Sequence, residues 1–133
     1  MNDAPANCLD HVGFNVSDFA VSKAFYLQAL APLSIGVVAE GEGWAMLGRP
    51  GKPQFWIGAM GDRPGPIHVA FAAESREQVR RFHAAALSAG GKDNGAPGLR
   101  EHYHPNYYGA FVIAPDGHNI EAVCHAPEKV AGR

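Results

Sequence analysis

Seven histidines occur in this chain of 133 residues, and two of them, His11 and His68, stand in the same setting. Residues 11–30, HVGFNVSDFAVSKAFYLQAL, lie over residues 68–87, HVAFAAESREQVRRFHAAAL, at a constant offset of 57 with six identities. In each copy a short strand alternates: Val12, Phe14 and Val16 share one face, as do Val69 and Phe71, and both histidines leave the apolar side. A third group, Glu121, sits in NIEAVCH, where Ile120, Ala122 and Cys124 form the apolar face and Glu121 shares the other with Asn119, Val123 and His125. A carboxylate inside a sheet needs either a solvated edge or a partner that offsets its desolvation. Two neutral imidazoles and one carboxylate bind a divalent ion (Zn, Ni, Fe, Mn or Co) and leave coordination positions open to substrate or water.

The elements that must position these groups also repeat. The first helix starts at Ser17 or Asp18, runs through Phe25 and Leu30, and stops at Pro32. In the second copy Ser75 with Gln78 reads as a capping box, Val79, Phe82 and Ala86 as the buried stripe, and Gly90-Gly91 as the stop. Strands follow at Ile35–Glu40, Trp44–Gly48 and Gln54–Ala59, and, after a loop-rich stretch, at Tyr108–Ala114 and Asn119–Cys124. Turns are expected at Pro50-Gly51-Lys52-Pro53 and Pro115-Asp116-Gly117. The reading is one α+β domain over residues 1–133 built from two βαβββ modules, about 8–60 and 66–126, forming a curved mixed sheet around a cup.

Composition narrows the function. Lys+Arg 11 against Asp+Glu 13 gives a net charge of −2, without the basic excess that nucleic acid or an anionic membrane surface demands. The most apolar stretch, Leu27 to Ala39, is 13 residues long and contains Pro32 and Gly36, too short and too broken to span a bilayer. The opening residues carry no secretory pattern, and Cys8 and Cys124 lie near opposite ends, so a reducing cytoplasm is the expected compartment.

Other residues qualify as pocket groups. The last hairpins align at an offset of 65, which sets Ala45 on Ala110, Pro50 on Pro115 and Trp56 on Glu121. The segment from Arg100 to Tyr108 gathers titratable and aromatic groups, of which His104, Tyr103 or Tyr108 could move a proton or bind an oxyanion, or simply decorate an exposed loop. Cys124 falls on the apolar face and reads as core. The glycines at 41, 43, 48 and 51 lack phosphate-loop spacing.

LDHVGFNVSD at 9–18, PIHVAFAAES at 66–75 and YYGAFVIAPDGHNIEAV at 107–123 resemble the vicinal oxygen chelate superfamily, which includes glyoxalase I, extradiol dioxygenases and bleomycin-resistance proteins. The resemblance implies paired βαβββ modules around a divalent metal and carries the ligand role onto His11, His68 and Glu121. Glyoxalase I enzymes add a fourth ligand where this chain has Trp56, which cannot coordinate; Gln54 is a weak substitute. Trp56 is instead expected to wall the substrate pocket or to pack as a plain aromatic, with His104 and Tyr108 as further substrate-binding residues. The expected activity is metal-dependent lyase or isomerase chemistry on a small oxygen-chelating substrate through a stabilised enolate or alkoxide. The alternatives are ring-cleaving dioxygenation and metal-free sequestration of a drug or metabolite. Strand edges left by one copy predict a two-fold homodimer, whose subunits either share each site or keep it within one chain.

Overall fold

The apolar face of the first strand is the face the fold buries: Phe14 and Val16 are enclosed while His11 and Gly13 are exposed. The computed structural model describes residues 9–62 and 64–128. Cys8, the start of the first module at residue 8 and the opening residues read for a leader lie outside that range. The element order is β1 (Val12–Asn15), α1 (Phe19–Leu30), β2 (Gly36–Gly41), β3 (Trp44–Arg49), β4 (Lys52–Gly58), then β5 (His68–Ala72), α2 (Arg76–Ser88), β6 (Lys92–Leu99), β7 (Tyr108–Ile113) and β8 (Asn119–Cys124).

Capping chemistry sets both helices. Asp18 accepts from the Val21 N–H at the start of α1, and a short 3-10 turn, Ala31–Leu33, absorbs Pro32 at its end. Ser75 accepts from the Gln78 N–H at the start of α2, while the Gln78 side chain returns to the Glu74 N–H, one residue earlier than a reciprocal box requires. Gly90 follows α2 at φ +99°, where a side chain would be strained. Ser22, Phe25, Tyr26, Ala29 and Leu30 make the buried stripe of α1, and Val79, Phe82 and Ala86 that of α2.

Each module folds its own four-stranded mixed sheet, in the orders β1-β4-β3-β2 and β5-β8-β7-β6. The expected curved sheet is thus divided in two, and β1 and β5 each sit at an edge of their sheet. The duplication holds residue by residue: Gly13 pairs with Trp56 on β4, and Ala70, 57 residues after Gly13, pairs with Glu121, 65 residues after Trp56. The strand missing from the sequence reading is β6. Its sequence, KDNGAPGL, carries the glycines and proline of a loop, and its pairing with β7 is irregular between Asp93 and Gly98.

The two modules share one core. Phe55 meets Phe14 at 5.4 Å, Tyr26 at 5.0 Å and, across the module boundary, Phe71 at 5.2 Å between ring centroids. Two polar ties reinforce the boundary. Arg49 donates to the carbonyls of Leu33 and Ala72, and Ser17 donates to Asp116 at 2.6 Å. No helix among the described residues is long and apolar enough to cross a membrane.

Candidate functional site

In the second module α2 covers the face of the sheet bearing Ala110, Val112, Ile120 and Ala122. Strand alternation therefore turns Glu121, Phe111 and Gly109 to the opposite face, with Phe111 directly beside Glu121 in register. Glu121 is only 1 % exposed, and it meets two polar partners there. His68 Nε2 lies 3.0 Å from Oε1, and the Tyr107 hydroxyl donates to Oε2. Burial first, and the hydrogen bond to Glu121 second, raise the Tyr107 phenol above the ordinary tyrosine range, so it stays a donor at neutral pH.

The tautomer of His68 follows from its other nitrogen. Nδ1 lies 3.1 Å from the carbonyl of Asn119, an acceptor only, so Nδ1 carries a hydrogen and Nε2 is the nitrogen presented to Glu121. The lone pairs of Nε2 and Oε1 then face one another, an arrangement that a cation between them would satisfy. Two donors about 2.1 Å from one ion are separated by roughly 3.0–3.4 Å as the angle between them opens from about 90° to 109°. The 3.0 Å observed falls at the start of that range, so the pair fits a divalent ion. Gly109 makes the room: a Cβ there would come within 3.1 Å of Oε2 and 3.2 Å of the Tyr107 ring.

His11 is prepared in the same way but stands apart. Its Nδ1 is 2.7 Å from Asp10 Oδ1, which leaves Nε2 as the presented nitrogen, and its side chain is 57 % exposed. His11 and His68 both line a cleft of about 620 Å³ between the modules, walled by Val12, Leu47, Phe55 and Phe71. Among the described residues no three His, Cys, Asp or Glu side chains converge on one point, so a single chain joins His68 to Glu121 and leaves His11 outside the pair.

The remaining expected site residues divide. Trp56 occupies the place equivalent to Glu121 and lies close against two glycines: a Cβ at Gly13 would lie 2.9 Å from its Cβ, and one at Gly58 would lie 2.5 Å from its ring. Gln54 lines the cleft. Tyr108 faces the other way. It shares the face of Ala110 and Val112, lies under the guanidinium groups of Arg76 and Arg80, and accepts from Arg80 at 3.2 Å, so it looks toward α2 and away from Glu121. Its neighbour Tyr107, one residue before the strand, takes the position at the carboxylate. His104 keeps an indirect relation to the site: its ring packs edge-on to His125 at 5.3 Å, and His125 packs likewise against Tyr107 at 5.3 Å. Sequence reasoning missed Tyr107, and counting back by twos from Phe111 through Gly109 would have found it.

Against solved structures, the chain is 31 % identical to a glyoxalase/bleomycin resistance protein from Albidiferax ferrireducens, with a TM-score of 0.76 over 91 % of this chain and 100 % of that one. The chain belongs to the glyoxalase/bleomycin resistance family. A putative glyoxalase from Bacillus halodurans is 25 % identical with a TM-score of 0.67 over 90 % of this chain and 96 % of that one. A glyoxalase/bleomycin resistance protein/dioxygenase family enzyme from Burkholderia phytofirmans shares the fold at 18 % identity and a TM-score of 0.69, over 88 % of this chain and 98 % of that one. No protein-family model and no curated protein matches the chain. Family membership accounts for the duplicated βαβββ modules.

Proposed function

We propose that this protein is a divalent-metal-dependent enzyme acting on a small molecule that chelates the ion through adjacent oxygens, in lyase or isomerase chemistry. The observation that carries the reading is the buried Glu121 carboxylate facing the presented Nε2 of His68 at 3.0 Å, with Nδ1 held by Asn119. His68 and Glu121 would hold the ion, with His11 as third ligand; when bound, it polarises the substrate oxygens and stabilises negative charge as it develops. Tyr107 keeps Glu121 oriented from its second oxygen. Trp56, lying over Gly13 and Gly58, walls the substrate space of the first module. A reducing cytoplasm suits Cys124, a buried free thiol.

Because His11 does not join His68 and Glu121 within one chain, and because β1 and β5 both lie at sheet edges, we place the complete site in a two-fold homodimer, with His11 supplied by the partner subunit. Metal analysis of protein purified without chelator tests the reading. About one equivalent of a divalent ion per chain is expected; less than about 0.1 equivalent, persisting after reconstitution, overturns it.

A metal-free binding protein is the second reading, favoured by the Tyr107 hydroxyl, which already satisfies Glu121, and by Trp56 in the place symmetric to it. Small-molecule affinity unchanged in His68→Ala, with no turnover under any metal, would select it.

A further inference from the structure

Beside the His68–Glu121 pair, the same face of the second sheet carries a guanidinium whose surroundings go beyond a structural tie. Arg100 follows β6, and its backbone is held by the loop it opens: its N–H donates to Tyr107 O at 2.7 Å, and its carbonyl accepts from the Tyr103 N–H at 2.9 Å. Its side chain folds back over the sheet. Nη1 donates to Gly98 O at 2.8 Å and to Gly109 O at 2.7 Å, which uses both of its hydrogens. The guanidinium carbon lies 5.2 Å from the centroid of Phe111, whose other neighbour is the His68 ring, 6.1 Å away and inclined by 27°.

The floor beneath this group is cleared of side chains. A Cβ at Gly95 would come within 3.0 Å of Nη2 and 2.9 Å of the Phe111 ring, and one at Gly98 would lie 3.4 Å from Nη1. Gly109 does the same under Glu121. No carboxylate among the described residues pairs with Arg100, and its Nε and Nη2 make no hydrogen bond among them. Those two atoms form the side-on edge of the guanidinium, with parallel N–H bonds matched to the two oxygens of a carboxylate.

We propose that Arg100 is the anion-binding end of the site, and that the substrate carries a carboxylate in addition to its chelating oxygens. The carboxylate pairs bidentately with Nε and Nη2, a spacer crosses beside Phe111, and the oxygens reach the ion at His68 and Glu121. The two ring separations, 5.2 Å and 6.1 Å, cap the reach from guanidinium to imidazole. Once metal-ligand and ion-pair distances are allowed for, a spacer of roughly three or four carbons spans it. The chelate end of this assignment rests on the metal reading above; the carboxylate end does not.

The test uses matched probes on the zinc-loaded wild-type protein by calorimetry: glutaric monohydroxamic acid, which has a chelating head and a carboxylate tail, and pentanohydroxamic acid, the same length without the charge. The charged tail is expected to tighten binding by about tenfold. Arg100→Met should erase that preference while leaving the affinity for the neutral probe within about twofold, and Arg100→Lys, a cation without the fork, should keep only part of it. A second arm needs no metal: glutarate added to the metal-free protein should shift the Arg100 Nε–H resonance saturably. Should neither hydroxamate bind because no ion is held, this arm decides the assignment alone. A tail preference that survives in Arg100→Met, or no preference together with no saturable shift, overturns it and leaves Arg100 as a staple of the bulged β6–β7 pair. Should Arg100→Met fail to fold, Arg100→Lys decides, and full retention of the preference there overturns the assignment.

Discussion

At the scale of single residues, the site turns on what surrounds one buried carboxylate. Tyr107 and His68 each address a different oxygen of Glu121, so the hydroxyl and an ion need not compete. Tyr107→Phe should therefore retain the fold yet weaken metal binding roughly tenfold, as losses of such supporting hydrogen bonds do, measured by chelator competition. The raised phenol pKa has a second consequence. A group that holds its proton more tightly when folded adds stability that is complete below the unfolded value of 10.0 and is lost as pH climbs past it. Between about pH 10 and 12 the wild type should lose stability to urea more steeply than Tyr107→Phe. Gly109→Ala probes the room itself: its Cβ would press on Oε2 from 3.1 Å, and metal affinity should fall with little change in thermal midpoint.

At the scale of elements, α2 matters most, because it packs on β6, β7 and β8 and so holds the sheet that carries Glu121. Its start depends on Ser75, and Ser75→Ala should cost about 1 kcal/mol by denaturant titration. Its far side is tied to the edge strand, where Asp93 accepts from His83 at 2.9 Å and from the Gly95 N–H at 3.0 Å. The Gly95 hydrogen bond chiefly, and His83 next, hold the Asp93 carboxyl below the usual carboxylate range. Stability from that shift is present above the unfolded value of 3.8 and fades as pH falls below it. The urea midpoint of Asp93→Asn should accordingly trail the wild type at neutral pH, with the gap closing in acid. Equal gaps at both would show that Asp93 does not work through its charge.

At the scale of the whole molecule, the separation of His11 from the His68–Glu121 pair makes assembly the decisive question. Light scattering at micromolar concentration should find a dimer. A mixture of His11→Ala and His68→Ala subunits, each inactive alone, separates shared from unshared sites. A mixed dimer that exchanges its histidines keeps one intact site of two, so random pairing at equal amounts should restore about a quarter of the wild-type metal sites. If all ligands came from one chain, nothing would return.

Much of this architecture was legible because it is periodic and local. The two offsets, 57 and 65, appear again as the register Gly13 with Trp56 and Ala70 with Glu121, since duplicated strands must pair alike to bury duplicated apolar faces. Asp18 and Ser75 announced their helices for the same reason: a cap acts within three residues. What tertiary structure alone decided is non-local. The glycines and proline of β6 give it no propensity of its own, and it is a strand only because β7 offers partners. Tyr107 continues the alternation of Phe111 and Gly109, and only the pairing of β7 with β8 brings that face to Glu121. Phe111 became a neighbour of both Arg100 and His68 through a sheet that joins residues far apart in the chain. The division into two sheets, with β1 and β5 at their edges and Phe55 packed on Phe71 where the modules meet, rests on pairing and packing between residues far apart in the chain, which no local pattern encodes.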